Sequence, residues 1–154
     1  MRKIAVLLAA AGVITVATPA VAEGEVRAEA RSGLIWVGDA NEATAGVAVG
    51  YDVLPRENVF FGFELSGDRV LVDGADVALG TTARFGGMIY DSGKLYATLG
   101  YTFGLGEESG EALHLGGGYH HKLNEAFYIG AEYRHFVADF ADSDAINIAV
   151  GVTF

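Results

Sequence analysis

The chain of 154 residues carries 10 basic and 20 acidic side chains, and 51% of it is hydrophobic. That acidity excludes recognition of nucleic-acid phosphates through a basic patch, and the apolar content excludes an acidic disordered tail. With no cysteine, disulfides cannot hold the fold together.

Arg2 and Lys3 precede a mostly apolar run from Ile4 to Ala17, then Thr18-Pro19 and the small triplet Ala20-Val21-Ala22. This three-part layout predicts a secretory signal peptide over 1–22, cleaved between Ala22 and Glu23. The run is too short for a membrane-anchoring helix of about 20 residues and breaks at Thr18-Pro19. The remaining 23–154 suffice for one domain. Without Arg2 and Lys3 it carries 8 basic and 20 acidic side chains, a net charge of −12.

After Glu23 no stretch has the 3.6-residue apolar spacing of an amphipathic helix; period-two alternation recurs instead. The first segment sets Val26, Ala28, Ala30, Leu34 and Trp36 against Arg27, Glu29 and Arg31. The second sets Ala43, Ala45, Val47, Val49, Tyr51 and Val53 against Thr44, Gly46, Ala48, Gly50 and Asp52. In the third, Val59, Phe61, Phe63 and Leu65 oppose Gly62, Glu64 and Ser66, with Phe60 an exception near the turn. In the fourth, Val77, Leu79, Ala83, Phe85 and Ile89 oppose Gly80, Thr82, Arg84 and Gly86. The fifth places Leu95, Ala97, Leu99, Tyr101 and Phe103 opposite Tyr96, Thr98, Gly100 and Thr102. The sixth, with the weakest alternation, places Leu113, Leu115 and Tyr119 opposite His114, Gly116 and Gly118. The seventh sets Phe127, Ile129, Ala131 and Tyr133 against Tyr128, Gly130, Glu132 and Arg134. The eighth sets Ile146, Ile148, Val150, Val152 and Phe154 against Asn147, Ala149, Gly151 and Thr153. Most segments are about 10 residues long, the length of a strand that crosses a bilayer at a strong tilt.

The connections alternate in character. Val53 to Asn58, Asp91 to Lys94 and His121 to Glu125 read as turns, rich in Pro, Asn, Asp or Gly. The segments 38–42, 67–76, 104–111 and 137–144 hold the longer, acidic connections. With the N-terminus on the periplasmic side, these four fall outside the cell.

Alternation alone does not separate a membrane barrel from a soluble lipocalin-like one, whose apolar face is inside. Here the polar face is mostly Gly, Ala and Thr with a handful of charges, whereas a solvated sheet would carry many Lys and Glu. Small side chains suit the narrow lumen of an eight-stranded barrel. Aromatics on the apolar face cluster near strand ends. Trp36, Tyr101, Phe103 and Tyr133 lie towards the outer rim, and Tyr51, Phe61, Tyr119, Phe127 and Phe154 towards the inner. Two such girdles are expected where rings meet headgroups. The fold class is therefore all-β: an eight-stranded antiparallel up-and-down transmembrane β-barrel after a cleaved signal peptide.

The run Gly130-Ala131-Glu132-Tyr133-Arg134-His135-Phe136, an acidic loop and then Ala145 to Phe154 resemble the closing hairpin of the opacity-protein and OmpA-type barrels of Gram-negative bacteria. The resemblance covers essentially all of 23–154 and implies an outer-membrane location. The pattern Val150-x-Val152-x-Phe154 resembles the signal by which the barrel-assembly machinery recognises its clients, so that machinery and periplasmic chaperones are implied as transient partners. Unlike full OmpA-type proteins, the sequence has no peptidoglycan-binding domain after Phe154, which puts tethering to the cell wall in doubt.

By parity Arg27, Glu29, Arg31, Glu64, Arg84, Glu132 and Arg134 point into the lumen and should pair, since an unpaired buried charge costs roughly 3–5 kcal/mol. The network reads as a plug; the alternative is a narrow ion-conducting, porin-like channel. The outer loops hold Asp39, Glu42, Asp68, Asp73, Asp76, Glu107, Glu108, Glu111, Asp139, Asp142 and Asp144, with Arg69 the only base among them. They read as a solvated, mutually repelling surface. A sharper reading has them share divalent cations with lipopolysaccharide phosphates. Asp139, Asp142 and Asp144 come closest to a site but lack the glycine and distal glutamate of an EF-hand loop.

A lipid-facing histidine near the outer rim would mark a lipid A-modifying enzyme, and His135 has that parity. Residue 137 is Val, and no serine or carboxylate reads as completing a hydrolytic triad on the same face. His114 can face the lumen, whereas His120 and His121 read as solvated turn residues on alternate faces. Gly104-x-Gly106 and Gly116-Gly117-Gly118 precede no helix, so no phosphate-cradling loop or cofactor is expected. These readings converge on a non-catalytic outer-membrane protein with an envelope-integrity or surface-interaction, adhesion-like role, in contact with membrane lipid and lipopolysaccharide.

Overall fold

A computed structural model describes residues 24–106, 110–139 and 141–154; the expected signal peptide, Glu107 and Glu108 lie outside them. Eight strands follow in chain order: β1 (Gly24–Val37), β2 (Ala40–Arg56), β3 (Val59–Val70), β4 (Val77–Ile89), β5 (Gly93–Gly104), β6 (Glu111–Lys122), β7 (Phe127–Ala138) and β8 (Ser143–Thr153). Each pairs antiparallel with its sequence neighbour, and β1 pairs with β8, closing the barrel. Closure removes both sheet edges, so every strand's backbone finds its partners within the barrel. The last residue takes part: Phe154 and Val26 exchange two backbone hydrogen bonds, at 2.9 and 3.3 Å.

The expected parity sets the orientation of the wall. Large apolar side chains face outward, Leu99 and Ile148 being 56% and 68% exposed, while Arg27, Glu64 and Arg84 on the opposite face are at most 2% exposed. An apolar exterior around a polar, filled interior inverts the pattern of a water-soluble barrel and matches a wall immersed in lipid. Phe60 fits the same rule. It shares the parity of Glu64 and is fully buried inside.

Pairing runs further towards both rims than turn-forming residues suggest. The first outer connection is only Gly38–Asp39, with Gly38 at φ 58°, the positive value that tight hairpin turns need at their first central position. The others span 71–76, 105–110 and 139–142, and the inner turns span 57–58, 90–92 and 123–126. Pro55 lies in β2 at the register shift between Val53 and Arg56, where its missing N–H leaves no gap in the ladder. Asn124 builds the last inner turn by accepting the backbone N–H groups of Ala126 and Phe127.

Candidate functional site: the lumen and the outer rim

The inward face of β1 carries Glu25, Arg27, Glu29 and Arg31 at alternate positions, a charged ladder along one side of the lumen. Opposite it, Glu64 of β3 accepts hydrogen bonds from three guanidinium groups: Arg27 Nη2 at 2.6 Å, Arg134 Nη2 at 2.7 Å and Arg31 Nη1 at 3.0 Å. Arg27 also donates to Glu29 at 3.2 Å, and Arg134 to Glu132. The Tyr128 hydroxyl donates to Glu29 at 2.6 Å. Six of the seven lumen charges named from sequence thus form one connected network. The seventh, Arg84, touches none of those six directly: its guanidinium lies 3.9 Å above the Tyr96 ring and 3.6 Å from Asp52, which links it to Arg27.

Several members had no counterpart in the sequence-based set. Asp52 is fully buried and lies within ion-pair distance of Arg27, Arg84 and Lys94, the last at 3.1 Å. Lys94 reaches Glu25 at 3.1 Å, which also accepts from Lys122 at 3.0 Å. Lys94 is not a turn residue: it is the second residue of β5 and points inward. Asp68 is likewise no loop residue. It lies in β3, and its carboxylate accepts Arg31 Nε and Nη2 at 2.7 and 2.5 Å. Among the described residues the lumen therefore holds six cations, Arg27, Arg31, Arg84, Lys94, Lys122 and Arg134. Six carboxylates face them: Glu25, Glu29, Asp52, Glu64, Asp68 and Glu132.

Two histidines complete the filling. His114 is fully buried between Thr82 and Thr102, each hydroxyl 3.0 Å from a ring nitrogen. His120 is not solvated: it stacks on Tyr128 at 4.5 Å and contacts the Tyr96 hydroxyl at 2.8 Å. Together with Phe60 these rings form an aromatic floor at the periplasmic end. His121 lies on the other face, against Tyr119.

On the outward face the proposed girdle residues keep their parity, and three turn their hydroxyls to polar partners: Tyr101 to Glu111, Tyr133 to Asp144, and Tyr119 to His121. Glu42, Glu111 and Asp144 belong to strand ends rather than loops, because β2, β6 and β8 extend over them. Asp39, Asp73, Asp76, Asp139 and Asp142 are exposed loop residues. The register sets Asp144 directly across from His135, with Nδ1 2.9 Å from the carboxylate. A carboxylate does share the face of His135, contrary to expectation from sequence. Val137 still occupies the position two residues beyond His135, and Ser143 pairs with Phe136 instead.

No family profile matches the chain, and no curated protein matches it by sequence. Solved structures do. The attachment invasion locus protein Ail of Yersinia pestis superposes with a TM-score of 0.67 at 17% identity, covering 87% of this chain and 100% of that one. The N-terminal β-barrel domain of Pseudomonas aeruginosa OprF gives 0.61 at 15%, covering 86% and 100%. Neisserial surface protein A gives 0.57 at 12%, covering 85% and 97%. The chain has the fold of an eight-stranded outer-membrane β-barrel. At these identities the likeness is one of architecture. Ail is an outer membrane protein whose structure is known in a phospholipid bilayer nanodisc and in complex with the heparin analogue sucrose octasulfate. In an outer-membrane barrel of this kind the outward apolar belt is the lipid surface, and the side-chain-filled lumen is the region enclosed by it.

Proposed function

We propose that the protein is a non-catalytic outer-membrane barrel whose lumen is closed to ions by its own charges and whose acidic outer rim meets the surroundings. The carrying observation is the match of six cations to six carboxylates across the lumen, with Glu64 at the convergence of three arginines. Removing a partner from such a buried set costs about 3–5 kcal/mol, so the closed arrangement resists rearrangement. Planar-bilayer recording of the folded protein tests this. The expected trace has no conductance steps; regular steps would make the protein a narrow channel.

With its charges balanced, the lumen contributes no net charge, and the protein's negative charge falls on its two rims. Among the described residues, eight carboxylates of the outer rim, Asp39, Glu42, Asp73, Asp76, Glu111, Asp139, Asp142 and Asp144, stand against Arg69 alone. That surface supports an envelope-integrity or adhesion-like role through divalent cations shared with lipopolysaccharide phosphates. Among the described residues no group of three or more His, Asp or Glu side chains could hold a metal alone, so phosphates would complete the coordination. The same charge opposes sulfated polyanions of the kind found with Ail; this barrel is expected to leave sucrose octasulfate unbound. Val150, Val152 and Phe154 serve in this proposal as the signal to the barrel-assembly machinery, with periplasmic chaperones delivering the chain.

The pair His135–Asp144, beside Tyr133, supports a second reading as a lipid A-modifying site, because a carboxylate on Nδ1 orients a histidine as a general base. Against it, position 137 is valine and offers no hydroxyl nucleophile. Incubation with lipopolysaccharide followed by mass spectrometry of lipid A is expected to find no change in acylation.

A further inference from the structure

We infer that the outer end of the lumen is a blind binding cup for a small organic carboxylate, a carboxyl group on a short apolar body. The inference rests on the plugged-lumen reading above, which closes the cup from below. All eight strands contribute side chains to a cavity of about 180 Å³ above the charge network. Ile35, Ala78 and Phe136 form its apolar side, and Thr44, Asn147 and Arg134 its polar side. The Phe136 ring packs 5.4 Å from the buried His114 ring, which fixes that part of the wall.

The hydrogen bonds already made decide which atoms are left for a ligand. Asp68 is committed through both oxygens: Oδ1 accepts from Arg31 Nε, and Oδ2 from Arg31 Nη2 and from the Ser66 hydroxyl at 3.0 Å. Arg31 gives its remaining nitrogen, Nη1, to Glu64. Arg134 differs. It is only 2% exposed, and its Nε and Nη2, on one edge of the planar guanidinium, donate to Glu132 and Glu64. Its Nη1, off that edge, has no hydrogen-bond partner among the described residues. Asn147 accepts from the Thr44 hydroxyl at 3.2 Å through Oδ1, which leaves both hydrogens of Nδ2 without a partner among the described residues. At the mouth Arg69 and Asp76 are both exposed and offset each other's charge. Below the mouth the cup thus presents free donors and no free carboxylate.

Those donors suit a carboxylate, which only accepts: one oxygen takes Arg134 Nη1 and the other takes Asn147 Nδ2. The bond to the guanidinium joins two ionised groups and is the stronger of the two. An ammonium finds no vacant carboxylate there, because both oxygens of Asp68 are taken. Ile35, Ala78 and Phe136 bury the methylene groups of the ligand, a service that an inorganic anion does not need. The volume is the share of about six water molecules at roughly 30 Å³ each and lies below the sites of drug-sized ligands, so the occupant is small. A single negative charge also meets the least repulsion from the acidic outer rim. Because the aromatic floor of Phe60, Tyr96, His120 and Tyr128 lies beneath the network, whatever enters leaves by the same mouth.

The test is titration of the isotope-labelled, folded barrel in nanodiscs with butyrate, n-butanol and n-butylammonium, followed by backbone NMR. Butyrate is expected to give saturable shifts at Thr44, Ala78 and Asn147, with butanol and butylammonium weaker by about tenfold or more. Ala78→Phe fills the cup without touching a charge and is expected to abolish the shifts. Asn147→Leu removes one donor and is expected to weaken butyrate by about tenfold. Arg69→Gln, at the exposed mouth, is expected to change the affinity by less than about threefold. Retention of heat-modifiable migration on gels identifies folded variants, and if Asn147→Leu fails to fold, the other two decide. Equal or tighter binding of butylammonium, no saturable shift, or shifts that survive Ala78→Phe would overturn the cup. Shifts lost in Arg69→Gln would overturn it as well, by making the binding an adsorption at the rim. Conductance steps from the wild type overturn the plugged-lumen reading instead, so the two failures are distinguishable.

Discussion

Replacing Glu64 by glutamine removes a negative charge from the point where Arg27, Arg31 and Arg134 converge at 2.6–3.0 Å. At an effective dielectric of about 20 each such contact is worth roughly 4 kcal/mol of gross attraction. Against that sum stand the carboxylate's own desolvation penalty, which the amide does not incur, and the charges on Glu29, Glu132 and Asp68, which still engage the three arginines. The net loss expected for breaking a buried set of this kind is about 3–5 kcal/mol. With a slope near 2 kcal/mol per molar urea, the unfolding midpoint falls by about 2 M. The assay is urea unfolding of the liposome-inserted barrel, followed by tryptophan emission from Trp36, with Asp73→Asn on the exposed outer loop as a control that moves by less than about 0.5 kcal/mol. A Glu64→Gln midpoint as little shifted as that control would show that Glu64 does not hold the network together, and the plug would lose its physical basis.

Arginine in place of Leu99, which faces outward at mid-strand, is expected to destabilise the inserted barrel by about 2–4 kcal/mol in the same assay. Gly116→Val should cost about 1–3 kcal/mol, because a side chain there runs into the Tyr133 carbonyl of the neighbouring strand. Phe154→Ala is expected to lower the amount of barrel inserted in cells severalfold while leaving folding yield in detergent micelles within a factor of two. Quantitative outer-membrane blots and gel-shift assays separate the two effects.

The period of two made the wall legible in the sequence, since a one-residue change of register would exchange the two faces of any strand. Lys94 was hidden because it follows Asp91-Ser92-Gly93, whose turn chemistry outweighs the parity of the strand beyond it. Asp68 was hidden for the converse reason, an acidic stretch that continues into the real loop at 71–76. His120 resembles a solvated turn residue until β6 extends to Lys122 and carries it into the lumen. Which lumen charges meet depended on something no single strand encodes. Arg84 stacks on Tyr96 because the stagger of eight strands sets their relative depth, and Asp144 meets His135 because the 139–142 connection fixes the register of β8.

Residues of adjacent parity face lipid and a filled lumen respectively, and this can be measured directly. The chain has no cysteine, so single cysteines can be placed at Leu99 and at Thr98 and labelled with a fluorophore after unfolding, before reconstitution into liposomes. A lipid-borne quencher is expected to extinguish the label at 99 and to spare the label at 98. Equal quenching at both positions, or stronger quenching at 98, would contradict the orientation on which the lumen and the girdles depend.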